Sequence, residues 1–173
     1  MATGQAERLL PLLLEVLAEG GVAWGDLAAL GVGTGPGNFT GVRIGVALAR
    51  GLALGLGVPA IGVSAFEAWA TLGALIIRDA RLGQIHVLLP GAAEPVTLDL
   101  DALPPLPGVP VLGDLAAEVA ALTGGTAVPA PPLAPAIGRA ALLRLGQANP
   151  RPAPLYLRAP DAAPARPAPP VLP

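Results

Sequence analysis

Apolar positions recur along the first half of the chain with two different periods. Over Gln5–Glu19 they return every three or four residues, the spacing of an α-helix. Leu9, Leu10, Leu13, Leu14 and Leu17 share one side, Leu12 and Val16 widen it, and Arg8, Glu15 and Glu19 gather opposite. The apolar arc is roughly 200° wide, about twice the stripe a helix needs to rest on one core. Pro11 lies inside this pattern and is accommodated as a kink near the helix start. Gly20-Gly21 then closes the helix.

A short apolar strand, Ala28–Val32, feeds the glycine-rich turn Gly33-Thr34-Gly35-Pro36-Gly37 and a second helix from Phe39 to about Gly55. Gly41, Ile44, Gly45, Leu48, Leu52 and Gly55 fall on one side, which is assigned to the chain's own sheet because glycine permits close approach. Arg43 and Arg50 stand on the other side among Val46, Ala47, Ala53 and Leu54. A helix apolar almost all round is buried on both faces. Two consecutive helices therefore carry more apolar surface than one core needs, which points to a second protein as cover; packing against each other is the plainer alternative. The turn itself has two readings, an anion cradle at a helix N-terminus or a connection that lets a helix pack tightly on its sheet.

Val58–Val63 reads as a buried strand, and Ser64-Ala65-Phe66-Glu67 has the form of a capping box opening a helix through Leu72. Strand, helix, strand, helix in that order argues for a parallel α/β unit. From Gly73 the pattern changes to a hairpin, Ala74–Asp79 with Gln84–Leu89, and a third strand at Val96–Leu100. Val109–Leu112 is a further short strand, and Asp114 is placed to cap a helix reaching Leu122. Pro129, Pro131, Pro132 and Pro135 mark a connector before a last helix, Ala136–Ala148. After Asp161 the chain is almost wholly alanine and proline, which predicts an extended tail.

Composition removes most chemistry. Every basic residue is arginine, and a net charge of −2 without a basic run leaves no broad footprint for a nucleic-acid backbone. Cysteine is absent, which excludes disulfides and thiolate chemistry and fits a reducing compartment. The most apolar window, Gly51–Phe66, is broken by Gly55, Gly57 and Pro59 and is too short for a membrane span. His86 is the single histidine; it is expected at a surface or strand edge, and no two-histidine metal site can form. Asp99 and Asp101 alternate on one strand face, which suits a solvated face better than a cation site, and Arg78, Asp79 and Arg81 are expected to pair locally at the hairpin tip. The glycine-rich turn lacks the lysine of a P-loop. No set of catalytic groups, cofactor ligands or metal ligands emerges.

The run from Gly33 through Gly35-Pro36-Gly37, Phe39-Thr40-Gly41-Val42-Arg43-Ile44 to Gly45 resembles the signature of the TsaB (YeaZ) family. The likeness continues through Ala49-Arg50-Gly51-Leu52-Ala53 and Gly62-Val63-Ser64-Ala65-Phe66-Glu67-Ala68. It resumes at Asp79-Ala80-Arg81 with Gly83, and at Pro154-Leu155-Tyr156-Leu157-Arg158. Glu7-Arg8-Leu9-Leu10-Pro11-Leu12-Leu13 is similar to the family's first helix, proline included.

The resemblance implies an α/β, actin-like (ASKHA, ribonuclease-H-like) fold of two lobes. A truncated N-terminal lobe would occupy 1–72, a C-terminal lobe 73–160, and a flexible tail 161–173. It implies a non-catalytic dimerisation subunit, without cofactor, of the cytoplasmic complex that installs threonylcarbamoyl on the tRNA adenosine beside the anticodon. The partners implied are TsaD, the catalytic paralogue, and TsaE, an ATPase. tRNA would be engaged indirectly, no membrane is involved, and the subunit alone would form a homodimer. The implied interface comprises Leu9, Leu10, Leu13, Leu14, Leu17, Phe39, Val42, Arg43, Val46, Ala47, Arg50 and Leu54. Family members begin further upstream with a strand hairpin carrying an Asp-Thr-Ser motif, so the first lobe is expected to lack those strands, with a misplaced start as the favoured explanation. Gln5, Gln84 and His86 also depart from the family pattern. The rival functions are a nucleotide-binding actin-like phosphotransferase and a glycoprotease-like peptidase.

Overall fold

The computed structural model describes residues 4–157. The tail at 161–173 and the expected motif residue Arg158 lie outside the described residues. Helix α1 (Gln5–Gly20) runs through Pro11 and ends at Gly21, whose φ of 63° is the left-handed cap that glycine takes without strain. Strand β1 (Leu30–Gly33) pairs in parallel with β2 (Ala60–Val63), with α2 (Phe39–Leu56) as the crossover between them. α3 (Ala65–Trp69) follows, and its capping box is as the sequence predicts: Ser64 Oγ accepts from the Glu67 N–H, and Glu67 Oε2 accepts from the Ser64 N–H at 2.6 Å.

The second sheet has five strands in the order β5-β4-β3-β6-β7. β3 (Leu75–Arg81) and β4 (Gln84–Leu88) form the hairpin, and β5 (Val96–Asp99) extends it antiparallel. β6 (Pro110–Gly113) pairs in parallel with β3, and β7 (Thr126–Ala127) in parallel with β6. α4 (Ala116–Thr123) packs on β6 and β7. One face of this sheet buries Leu75, Ile77, Ile85, Val87 and Val111 beneath Val119 and Ala120. The other buries Ile76, Leu88 and Leu112 against Phe66 and Trp69 of α3. α5 (Leu133–Leu143) reaches back to the first sheet, where Ile137 and Ala141 meet Ile61 and Val63.

Several expectations are corrected. The stripe of α2 that faces inward is not the glycine side: Val46 and Ala53 are its buried residues, and a side-chain carbon at Gly45 would meet nothing within 4 Å. A glycine face removes little apolar area from water, so the valine and alanine face wins the sheet. Close helix–sheet approach occurs instead at β1 and α5. There a carbon added at Gly33 would lie 3.0 Å from Ile137 Cδ1, and one at Gly31 3.0 Å from Ala141 Cβ.

Asp114 does not cap α4, which starts after Leu115. Its carboxylate accepts from the Asp79 N–H at 3.1 Å and pairs with Arg78 at 3.3 Å. Arg78 is thereby drawn away from the hairpin tip, where Asp79 Oδ1 accepts from the Arg81 N–H. The last helix begins earlier than expected because Pro135 lies in its first turn, where no N–H is needed. It also ends earlier, at Leu143. β7 escapes sequence reading because two residues carry no period. His86 is 7% exposed on an interior strand, not at an edge, and its Nδ1 lies 2.8 Å from Thr97 Oγ1. Asp99 accepts from Gln84 Nε2, and Asp101 falls in the turn Leu100–Ala102.

Arg144 braces the two halves of the molecule. Its Nη1 lies 2.7 Å from Glu67 Oε1, its Nη2 donates to the Gly62 carbonyl, and its Nε donates to Asn149 Oδ1. Burial alone would raise the Glu67 pKa, but the Ser64 hydrogen bonds and the Arg144 charge outweigh it and hold the carboxyl below its ordinary value. A depressed folded-state value means that the stabilisation is present above about pH 5 and is lost as the pH falls through that value. The urea midpoint gap between the native chain and Glu67→Gln should therefore close on acidification, from about 1 kcal/mol or less, since the carboxylate is half exposed. Gly113 offers a sharper test. Its φ is 111°, and a side-chain carbon there would stand against the Ile77 carbonyl oxygen. Gly113→Ala should cost at least about 3 kcal/mol in chemical denaturation.

Candidate partner-docking surface

α2 opens at Asn38, whose Oδ1 accepts from the Gly41 N–H at 2.9 Å and fixes the helix start. The turn before it directs one N–H and two carbonyls into the molecule. The Thr34 N–H donates to the Val63 carbonyl, the Ala65 N–H donates to the Gly35 carbonyl, and the Leu155 N–H donates to the Thr34 carbonyl. The glycine-rich turn thus ties β2, α3 and the C-terminal segment into one joint, which supports the packing reading over the anion cradle.

At the α2 N-terminus three side chains stack. The Arg43 guanidinium lies 3.7 Å from the Phe39 ring centroid and 5.5 Å from that of Tyr156. Arg43 Nε donates to Tyr156 Oη at 2.6 Å, and the two ring centroids are 5.3 Å apart. Among the described residues Arg43 has no carboxylate partner. Tyr156 is absent from the residues singled out by helical periodicity. Only its place in the Pro154–Leu157 run could have signalled it.

α1 packs on α2. Leu9, Leu13 and Leu17 are its half-buried positions. Leu10 and Leu14 are exposed, with Leu14 at 49% and Val16 at 56%. On α2, Ala47 is exposed and Leu54 is 84% exposed, whereas Val42 is half-buried. Val46 departs from expectation: at 2% exposure it belongs to the core and cannot meet a partner. Arg50 is also set apart, lining a cleft with the Gln147–Pro152 segment rather than standing beside Arg43. By length and mean hydropathy (1.4) α2 matches a membrane span, yet it carries Arg43 and Arg50, and it packs on β1 and α1.

The family model for TsaD, tRNA N6-adenosine threonylcarbamoyltransferase, matches residues 2–89. The TsaB protein of Escherichia coli is 46% identical over 88 residues, covering 46% of this chain and 38% of that protein. An uncharacterised protein of Mycobacterium tuberculosis H37Rv is 36% identical over 173 residues, covering 94% of this chain and 79% of its own length. YeaZ from Pseudomonas aeruginosa superposes with a TM-score of 0.65 at 27% identity, over 91% of this chain and 87% of that one. The chain belongs to the TsaB family. Among the described residues the two sheets and five α-helices follow the arrangement of that YeaZ structure, an α/β fold of the actin-like (ASKHA) kind. The stretch matched by the family model holds α1, the glycine-rich joint and α2, which are the elements of the exposed surface just described.

The Phe39–Arg43–Tyr156 stack gives a direct test of how the C-terminal segment is held. Tyr156→Ala should lower stability by about 1 kcal/mol and speed hydrogen exchange at the Leu155 amide. Tyr156→Phe keeps the ring and should show roughly half that loss.

Proposed function

We propose that this chain is a non-catalytic docking subunit in the biosynthesis of threonylcarbamoyladenosine in tRNA. The observation that carries the reading is the outer side of α1: leucine and valine side chains stand in solvent on a helix whose packing partner in the chain is α2. An apolar helix pair of this kind resembles one half of a helical interface. The partner is a TsaD-type catalytic subunit offering an equivalent pair, with a TsaE-type ATPase joining the assembly and tRNA engaged through the complex. In the absence of that partner the same surface serves a homodimer of isologous type. The region up to Leu72 acts as the docking lobe and the five-stranded sheet as the second lobe. The site of action is the cytoplasm.

Several features support a non-catalytic role. His86 lies on an interior strand with its Nδ1 2.8 Å from Thr97 Oγ1. The Thr34 N–H of the glycine-rich turn is given to the Val63 carbonyl, one donor fewer for an anion. These features weigh against the phosphotransferase and the peptidase.

Leu14→Glu separates docking from folding. Light scattering of the purified chain should give a dimer, and Leu14→Glu a monomer with an unchanged circular dichroism spectrum, at a cost of about 3 kcal/mol for an unpaired buried charge. Val46→Glu should instead abolish folding. Native and Leu14→Glu proteins of the same mass, whether monomer or dimer, would remove the docking surface.

A further inference from the structure

Between the C-terminal half of α2 and the Gln147–Pro152 segment lies an open cleft of about 430 Å³. Two cations line it, Arg50 and Arg151, and no aspartate, glutamate or aromatic side chain does. Neither arginine forms an ion pair among the described residues. α2 carries no acidic residue over its 18 positions, so Arg50 has no neutralising neighbour on its own helix.

The far wall is stiff. Asn149 Nδ2 donates to the carbonyls of Arg144 and Gln147, and Gln147 Nε2 donates to the Leu143 carbonyl. Arg151 stands between two prolines, which restrict the backbone on both sides of it. Pro152 is buried over β2, where a side-chain carbon at Gly62 would lie only 3.3 Å from Pro152 Cβ. Glycine at that position lets the proline seat, and the seated proline fixes where Arg151 begins.

Two guanidinium groups without an ion-pair partner lining one cleft are a match for phosphate, whose oxygens accept their forked hydrogen bonds. The walls lack the aromatic faces on which a base would stack, so the cleft suits a phosphate group rather than a nucleobase. We infer that Arg50 and Arg151 together hold a phosphate group of a bound ligand, either a backbone phosphate of an RNA strand or a small phosphorylated compound. Such contacts position a ligand and carry no sequence information. This inference does not rest on the docking surface of α1, and either can fail alone.

The test uses the full chain in two arms. In the first, the arginine Nε–Hε resonances are followed while inorganic phosphate is added, and those of Arg50 and Arg151 should shift together. In the second, a labelled tRNA anticodon stem-loop is titrated at low and at physiological salt. Arg151→Gln, an exposed substitution that should leave folding intact, should weaken RNA binding about three- to tenfold at low salt and reduce the salt slope by about 1. Arg139→Gln, on the exposed side of α5 outside the cleft, should change neither value. Phosphate shifts without RNA binding would assign the site to a small phosphorylated ligand. The site is refuted if phosphate shifts neither arginine, or if Arg139→Gln costs as much as Arg151→Gln.

Discussion

The seating of Val46 and Ala53 against the first sheet governs what the rest of the molecule can do. A helix has one side to give to one sheet, and α2 spends its best side there. What remains, the half-buried Ile44, Leu48 and Leu52 beside three glycines, is less completely covered, and α1 is the helix that packs on α2. α1 in turn spends Leu9, Leu13 and Leu17, and its other large apolar side chains are left facing water. Removing such area from water is worth about 25 cal/mol per Å². The apolar excess of these two helices follows from a competition between faces for a small two-stranded sheet.

The same sheet explains why the glycine-rich turn is so constrained. β1 and β2 pair with each other in parallel, so their stability depends on what closes over their ends and faces. α5 closes one face by pressing on Gly31 and Gly33, and the turn closes the end by accepting from Ala65 and Leu155. Arg144 then links α5 to Glu67 and Gly62, so the helix lent by the second half of the chain is bolted to the first. Glycines in this region serve close approach and directed carbonyls. A phosphate-binding turn needs its N–H groups free, and here the Thr34 N–H is already given to Val63.

Much of this was legible in the residues themselves. The helix pair, the β1–α2–β2 unit, the capping box at Ser64 and the hairpin around Gly83 all follow from periodicity and turn chemistry. What failed has identifiable causes. Periodicity places Gly41 and Gly45 on a common face of α2 but cannot say which of two apolar faces meets the sheet. It therefore put Val46 outside. Local capping logic gave Asp114 to α4, when a longer-range competitor, the Arg78–Asp79 pair on β3, held the carboxylate. Pattern alone puts His86 at a surface or strand edge, yet β5 makes β4 an interior strand. Tyr156 and Arg151 sit in a proline-rich stretch with no period at all. Tyr156 meets Arg43 across 113 positions of sequence, a separation to which local sequence logic is blind.

In the proposed docking, charge would give the exposed helix pair a preferred arrangement. α1 carries Glu7, Glu15 and Glu19 against Arg8, whereas the N-terminal half of α2 carries Arg43 and no acid. Within the chain Arg8 is already engaged by Glu15 at 2.9 Å, and Arg43 is engaged only by an aromatic pair and a hydroxyl. A second helix pair of the same polarity meets this surface best when acidic α1 lies across basic α2 in both directions, which is the symmetry of an isologous contact. The opposite register would oppose Arg43 to Arg43 in a desolvated setting, which like-charge repulsion penalises. In the proposed contact, apolar area would supply the affinity and the division of charge between the two helices its orientation. A partner with a similar helix pair would need that same division to take the place of a second copy.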